Sequence, residues 1–285
     1  MYTTLITAEQ LQQLVDDRQP LMVFDCSFEL MQPAEGEQQY LRAHIAGAQR
    51  ADLDRHLSAK HPADAVNGGR HPLPTREAFA AWLASLGFTA DMQAVVYDRQ
   101  GANYCGRLWW MLKWVGHEAV AVLDGGLQAW EAAGGAVETG VAASRTASAF
   151  AASTPKAQLA TTDTVLQQLG RLSQTLVDAR GTPRFRGEVE PLDPVAGHIP
   201  GALNRPFNLN LGPDGKFKPA AELRAEFTEL LAGRDPASVV HHCGSGVSAV
   251  PNLLAMEIAG LGRGALYAGS WSEWCSDPAR PMAQG

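Results

Sequence analysis

Long hydrophobic runs are absent from this sequence. No uninterrupted apolar stretch approaches the ~20 residues with which a helix crosses a membrane, and the most hydrophobic patch, residues 108–115, is broken by Lys113. The N-terminus also lacks the basic region and long apolar core of a secretory signal. These absences argue against a membrane partner and predict a cytoplasmic protein.

Runs of positive charge are absent as well. The 23 Lys and Arg residues are outnumbered by 30 Asp and Glu, which gives a formal net charge of −7. A chain with no Lys/Arg run and this balance is not expected to bind nucleic acid or an anionic membrane surface. With 285 residues, 46% hydrophobic and 19% charged, the chain has the composition of a soluble globular protein and the length of two ordinary domains.

Cysteine is scarce, and no CxxC pair occurs. This spacing is typical of free thiols in a reducing compartment, and it predicts neither a disulfide framework nor a zinc site. His241 and His242 stand directly before Cys243, but consecutive residues of a strand point to opposite faces. No metal site is therefore predicted. The cysteines are Cys26, Cys105, Cys243 and Cys275.

The segment Cys-Gly-Ser-Gly-Val-Ser, residues 243–248, is the most informative part of the chain. It follows a strand-like stretch and precedes a helical apolar pattern that starts at Val250. Backbone N–H groups of such a loop point inward and bind an anion, and the helix N-terminus adds partial positive charge. This setting stabilises a thiolate. A lone cysteine is usually a buried structural residue, but a core cysteine has no need of two nearby glycines. The pattern therefore favours a nucleophile at Cys243.

The sequence contains an internal repeat. Five landmarks recur in the same order in the two halves, which predicts a duplication. Residues 5–14 correspond to 159–169, 23–26 to 176–179, 44–48 to 198–202, 95–98 to 240–243, and 125–130 to 269–274.

Each copy alternates short apolar strands with helices, the pattern of an α/β fold whose parallel sheet is covered on both faces. Small and polar residues separate the copies and are typical of a linker. We therefore predict an N-terminal domain at residues 1–140, a linker at 141–157 and a C-terminal domain at 158–285.

The repeat also predicts which copy is active. Asp98 stands in the first copy where Cys243 stands in the second. A carboxylate cannot act as a sulfur nucleophile, so the first copy is expected to be inactive and to form one wall of an interdomain cleft.

Several motifs carry a resemblance to a known family. They are Val-Asp-Ala-Arg at 177–180, Arg184-Phe185, Gly-His-Ile-Pro-Gly-Ala at 197–202, the cysteine loop, and Gly-Ser-Trp-Ser-Glu-Trp at 269–274. With these motifs the chain resembles the tandem-domain rhodanese sulfurtransferases. The resemblance implies two rhodanese-like domains, each with a mostly parallel five-stranded sheet and helices on both faces.

The resemblance also implies a mechanism. The Cys243 thiolate takes a sulfane sulfur from a donor, forms a persulfide and passes the sulfur to a thiol, to cyanide or to a reduced thioredoxin-like protein. The cysteine sulfur is itself the carrier, so neither a metal nor an organic cofactor is implied. The donor and the persulfide are expected to be held at Gly244, Gly246, Val247 and Ser248.

The neutral loop resembles the 3-mercaptopyruvate branch of the family more than the thiosulfate branch, in which the loop is basic. With mercaptopyruvate the departing enolate needs a proton, and the family supplies it from a serine backed by a histidine and an aspartate. Ser245, His71 and Asp54 match that trio, with Asp52 as a second candidate for the acid. Spacing alone favours a second explanation, in which His71 is a turn residue at the domain interface. The signature of the cysteine loop favours the trio.

Arg184 matches the arginine that binds the substrate carboxylate. Many mercaptopyruvate enzymes have a second arginine after a Pro-Glu-Pro stretch, but Leu192 stands in that place here, and Arg186 is the candidate to replace it. This departure keeps thiosulfate open as an alternative donor.

Two other functions were weighed against sulfur transfer. Phosphatases that share this domain type need an arginine six residues after the cysteine, but Ala249 stands there, so phosphoryl chemistry is excluded. A non-enzymatic module that relays persulfide sulfur to a partner protein would keep the same cysteine, and the sequence leaves that reading open.

Overall fold

The computed structural model describes residues 1–285, and the chain divides into two compact units. The first contains residues 1–64, 74–157 and 213–216, and the second contains residues 65–73, 158–212 and 217–285. Each unit has one five-stranded, all-parallel sheet with helices around it, so the predicted α/β fold is confirmed.

The sheet of the first unit has the order β1-β6-β5-β2-β4, and β3 and β7 form a separate antiparallel pair. Its strands are β1 (Leu5–Ile6), β2 (Leu21–Asp25), β3 (His44–Ile45), β4 (Gln49–Arg50), β5 (Gln93–Tyr97), β6 (Val120–Leu123) and β7 (Val137–Glu138). Its helices are α1 (Ala8–Asp16), α2 (Pro33–Arg42), α3 (Arg76–Ser85), α4 (Cys105–Trp114) and α5 (Gly126–Ala132).

The sheet of the second unit has the order β10-β9-β11-β12-β8. Read from β8 to β10, this order repeats that of the first sheet from β1 to β4, strand for strand. Its strands are β8 (Gln158–Leu159), β9 (Thr175–Asp178), β10 (Leu203–Asn204), β11 (Val239–His242) and β12 (Ala265–Leu266). Its helices are α6 (Thr162–Gln167), α7 (Thr182–Arg186), α8 (Ala220–Leu231), α9 (Val250–Ile258) and α10 (Ser270–Trp274).

Threonine caps begin the first helix of each copy, as the repeat predicts. The Thr7 side chain accepts a hydrogen bond from the Gln10 N–H, and the Gln10 side chain accepts one from the Thr7 N–H, which completes a capping box. In the second copy the Thr161 side chain caps α6 through the Thr164 N–H. These caps satisfy N–H groups that have no partner within the helix.

The hydrophobic patch around residue 110 forms helix α4, all of whose residues are buried. The patch includes Lys113, whose Nζ lies 2.8 Å from a Glu118 carboxylate oxygen and 4.9 Å from the centre of the Trp109 ring. Pairing and ring contact offset the cost of burying its charge. No helix of the structure is long and apolar enough to span a membrane.

Topology places the carboxyl ends of β9 and β11 side by side in the middle of the second sheet, because these strands are parallel neighbours with His242 opposite Asp178. Loops that leave the carboxyl ends of central parallel strands line the usual binding crevice of such sheets. Strand β9 leads into α7, which carries Arg184, and β11 leads into the loop that carries Cys243.

Candidate active site

The cysteine loop begins where β11 ends and leads into α9. Cys243 is 2% exposed. Its N–H donates to Ser270 Oγ at 3.1 Å, and its carbonyl oxygen accepts from the Trp271 N–H at 3.0 Å. The next carbonyl, of Gly244, accepts from the Ser272 N–H at 2.9 Å. The loop is therefore fixed on the first turn of α10.

Gly246 gives the loop its curvature. Its φ is +73°, and a Cβ at this position would lie 2.2 Å from the carbonyl oxygen of Ala268. Both the backbone conformation and the close approach require glycine. Gly246 thus shapes the loop, as the sequence predicts.

Several backbone donors of the loop have no protein acceptor. They are the N–H groups of Gly244, Ser245, Val247 and Ser248. Such donors, next to a thiol and before a helix, form the anion-binding arrangement expected for a thiolate or a persulfide.

The corresponding loop of the first unit is already filled. There Asp98 follows β5, and its carboxylate accepts hydrogen bonds from four backbone N–H groups at 2.8 to 3.0 Å. The donors belong to Gln100, Ala102, Tyr104 and Cys105. The first copy therefore places a fixed side-chain anion where the second copy has a sulfur atom.

Ser245 and His71 lie together beside Cys243. Ser245 Oγ is 2.7 Å from His71 Nδ1, a hydrogen-bonding distance, and each residue is 7% exposed. This contact lies within the second unit, because the segment 65–73 belongs to that unit. A hydroxyl bonded to an imidazole can transfer a proton that neither group would deliver alone.

Asp54, the predicted acid of the trio, belongs to the first unit. It lies in a turn in which Asp52 Oδ1 accepts hydrogen bonds from the N–H groups of Asp54 and Arg55, both at 3.0 Å. The other oxygen of Asp52 accepts from Arg50 at 3.0 Å, so the second candidate is already engaged. Partial desolvation, and then the negative charge of Asp52, raise the pKa of Asp54.

Arg184 is held by two carboxylates. Its Nη2 donates to Glu190 Oε1 at 2.7 Å and to Asp193 Oδ2 at 3.3 Å, and its Nε donates to Glu190 Oε2 at 3.2 Å. Burial alone would raise the pKa of Glu190, but hydrogen bonds from Arg184 and from the Leu192 N–H lower it below its ordinary value. Glu190 is therefore an anion that fixes the guanidinium.

Arg186 lies apart from this group. Its side chain is 56% exposed, and its guanidinium faces Glu188 at 3.8 Å. The structure thus brings Arg184, but not Arg186, to the residues around Cys243.

Sequence reasoning missed Arg70 and Asp193. Arg70 Nη1 donates to Asp193 Oδ1, whose carboxylate also accepts from Arg184. Arg70 Nη2 lies 2.8 Å from the point at which a Cβ would stand on Gly244, and Arg184 Nη1 lies 3.6 Å from that point. The available signal was the position of Arg70 directly before His71 in the chain.

Beneath the loop, Arg180 and Asp178 form a buried pair. Two nitrogens of Arg180 donate to the Asp178 carboxylate at distances down to 2.7 Å, and the guanidinium lies 5.0 Å from the centre of the Trp271 ring. His242 Nδ1 is 3.8 Å from Asp178. Burial lowers the pKa of His242 despite that neighbouring charge, so the ring is neutral. No group of three or more His, Cys, Asp or Glu side chains is arranged to hold a metal ion.

Comparison with known proteins gives consistent matches along the whole chain. The model of the Rhodanese-like domain matches residues 7–133 and 161–277. A "Probable 3-mercaptopyruvate sulfurtransferase" of Pseudomonas aeruginosa is 46% identical over 282 residues, which cover 99% of this chain and 98% of the relative. A "Putative thiosulfate sulfurtransferase SseB" of Mycobacterium tuberculosis is 38% identical, with 99% and 97% covered.

Solved structures agree with these sequence matches. The crystal structure of SseA from Escherichia coli, described among 3-mercaptopyruvate sulfotransferases with the rhodanese fold, superposes with a TM-score of 0.78 at 32% identity. The match covers 95% of this chain and 100% of that one.

Proposed function

Because this chain belongs to the rhodanese family and is a sulfurtransferase of its two-domain type, we propose that its sulfur donor is 3-mercaptopyruvate. The sulfur passes through a persulfide on Cys243 to a thiol or to cyanide. The observation that carries the choice of donor is the 2.7 Å contact between Ser245 Oγ and His71 Nδ1 beside Cys243. Mercaptopyruvate needs a proton donor at that place, whereas thiosulfate does not.

The reaction begins with the Cys243 thiolate, which attacks the thiol sulfur of the donor. A sulfur–sulfur bond forms, the carbon–sulfur bond breaks, and its electron pair remains on the organic fragment as the enolate of pyruvate. Ser245 gives its proton to the enolate carbon and recovers a proton through His71. The backbone N–H groups of Gly244, Val247 and Ser248 hold the negative sulfur, in the loop that Gly246 curves. The acceptor thiolate or cyanide then attacks the outer sulfur and restores Cys243.

The charges around the donor site favour a monoanion. Two guanidiniums, of Arg70 and Arg184, are matched by two carboxylates, of Glu190 and Asp193. A site with this balance can bind one carboxylate through directed hydrogen bonds without the excess positive charge that suits a dianion such as thiosulfate.

Three further assignments belong to this proposal. Asp54 orients His71 in the reaction, the inactive copy with Asp98 occupies the domain at residues 1–140, and the physiological acceptor is a thioredoxin-like dithiol. The proposal also includes a linker at residues 141–157 and a catalytic domain at residues 158–285. The compartment is the cytoplasm, because all four cysteines are free, a state that reducing conditions preserve.

Comparison of two donors tests the proposal. Ser245→Ala removes the proton donor, so we expect kcat/KM for 3-mercaptopyruvate to fall by about 100-fold or more, while the value for thiosulfate changes by less than about threefold. Asp54→Asn is also expected to lower kcat/KM for 3-mercaptopyruvate more than that for thiosulfate, but by a smaller factor than Ser245→Ala. Equal losses on the two donors would remove the role of the trio.

Cys243→Ser serves as the chemical control in the same series. It should abolish transfer from both donors and leave the folded structure intact, which circular dichroism can verify. Persistent turnover in this variant would contradict the nucleophile. A wild-type protein that accepts a persulfide sulfur but turns over neither small donor would instead be a relay module.

A further inference from the structure

Two guanidinium nitrogens that donate to no protein acceptor face Gly244, the residue that follows the proposed nucleophile. Arg70 Nη2 and Arg184 Nη1 lie 2.8 and 3.6 Å from the point at which a Cβ would stand on Gly244. Because Gly244 has no side chain, that point is open, and an anion placed close to it is within reach of both arginines. The point lies one residue along the chain from Cys243.

The hydrogen bonds of each arginine leave these nitrogens unpaired. Arg70 donates through Nη1 to Asp193, and Arg184 donates through Nη2 and Nε to Glu190 and through Nη2 to Asp193. Arg70 Nε is also buried and has no hydrogen-bond partner. The two side chains are 26% and 21% exposed, so water can reach their free nitrogens, and an anion that enters can accept from them in its place.

Asp193 holds the guanidinium groups of Arg70 and Arg184 side by side. It is 2% exposed, and its two oxygens accept from the two arginines separately. Like charges this close would otherwise repel, and the shared carboxylate removes that repulsion while it fixes both planes.

The backbone that carries Arg70 is firmly placed. The Arg70 N–H donates to Ser272 Oγ at 3.1 Å. Gly69 has a φ of +91°, and a Cβ on it would lie 2.7 Å from the Gly269 carbonyl oxygen. The glycine lets the segment pass against the start of α10, which also supports the cysteine loop.

We propose that Arg70 is the second carboxylate-binding residue of this enzyme, paired with Arg184 across Asp193. It takes the place of the arginine that is absent at Leu192. The inference rests on the proposed function for the identity of the donor, but the binding of a carboxylate beside Cys243 does not depend on it. A planar carboxylate receives one N–H from each guanidinium, which places the neighbouring carbon chain over the loop.

Alkylation of Cys243 tests the binding of a carboxylate without turnover. Iodoacetate and iodoacetamide differ in charge but react with a thiolate in the same way, by displacement of iodide. The measured quantity is the rate with iodoacetate divided by the rate with iodoacetamide at Cys243, followed by peptide mass spectrometry on the full chain. This ratio should fall about tenfold or more in Arg70→Met, because the variant no longer attracts the carboxylate of iodoacetate. Arg70→Lys, which keeps the charge and loses the planar fork, should give an intermediate ratio. Arg171→Met, at an exposed arginine of the same unit, is the control and should leave the ratio unchanged.

Kinetics supply the second readout. In Arg70→Met the KM for 3-mercaptopyruvate should rise about 10- to 100-fold, with a much smaller change in kcat, because the contact is made equally in the ground state and the transition state. A wild-type rate ratio in folded Arg70→Met and Arg70→Lys would overturn the inference, as would a fall in kcat at constant KM, which would mean that Arg70 acts only through His71. If the wild type does not turn over 3-mercaptopyruvate, the proposed function fails, and the alkylation ratio still decides the role of Arg70.

Discussion

At the scale of single residues, the two copies differ most clearly in what fills the loop after their central strand. In the first unit the loop closes on the Asp98 carboxylate, and in the second it leaves its donors unoccupied around Cys243. A single side chain therefore distinguishes a loop whose N–H groups bind an internal carboxylate from a loop whose N–H groups are proposed to bind the anionic sulfur. The sequence predicted this difference, because both residues follow strands at matching places in the repeat.

Asp98→Ala should destabilise the first unit. It leaves four backbone N–H groups without an acceptor, three of them buried, and each buried loss costs about 1–3 kcal/mol before water enters. We expect the free energy of unfolding to fall by about 3–5 kcal/mol in urea titrations. Asp98→Asn, which keeps one acceptor oxygen, should lose about half as much. If both variants unfold at the wild-type urea concentration, the carboxylate is not a brace.

A second prediction at this scale concerns pH. Burial, and to a smaller extent the electrostatic interaction with the neighbouring His242, lower the pKa of His241 from 6.5 to about 3. Below pH 6.5 the unfolded chain binds a proton at this residue and the folded chain does not, so acid favours unfolding until the pH reaches about 3. Such a group contributes a slope of about 1.4 kcal/mol per pH unit in that window.

His241→Leu should remove that part of the slope. Urea unfolding at pH 7, 6 and 5 should show a stability of the variant that falls less steeply with acid than that of the wild type. Other histidines with a lowered pKa, such as the half-buried His56 and the buried His117, keep the remaining slope. An unchanged slope would mean that His241 takes up its proton in the folded state.

At the scale of elements, the site depends on how tightly the cysteine loop packs on its neighbours. Gly246→Ala combines an unfavourable φ of +73° with a Cβ 2.2 Å from the Ala268 carbonyl oxygen. We expect the loop to shift, sulfur transfer to fall by at least about 100-fold, and stability to fall by about 2–4 kcal/mol. Steady-state assays and thermal unfolding measure the two effects.

Gly262→Ala is the matched control for this variant. Its φ of +86° is similar, but nothing lies within 4 Å of the added Cβ. It should lose about 1 kcal/mol from backbone strain and keep its activity. Equal loss of activity in the two variants would show that the close packing at Ala268 has no special role.

The elements also show how far the sequence could predict this site. Local signals were sufficient for the threonine caps, the strand–loop–helix around Cys243 and the alternation that makes the sheets parallel. They were not sufficient for Arg70 and Asp193, which lie far apart in the chain and meet only through tertiary packing. The sequence did not predict that Arg186 is exposed. Helix α7 is too short for a periodic pattern to show which face is buried, and the inward direction of Arg184 depends on its ion pairs with Glu190 and Asp193.

At the scale of the whole molecule, the duplication predicted from five sequence landmarks appears as two sheets of the same strand order. The sequence did not predict that each half lends a short segment to the other unit. Residues 65–73 belong to the second unit and residues 213–216 to the first. No hydrophobic periodicity marks these segments, and their assignment depends on contacts rather than composition.

The segment 65–73 has an evolutionary consequence for a gene of this kind. If fission in the linker separated the halves, the downstream product would retain its nucleophile but lose His71 and Arg70, which are encoded upstream. Selection for sulfur transfer would therefore act on physical linkage of the halves, even though only one of them carries the proposed nucleophile. A first half that supplies no nucleophile can in this way be retained during evolution, because nine of its residues, 65–73, belong to the unit that contains Cys243.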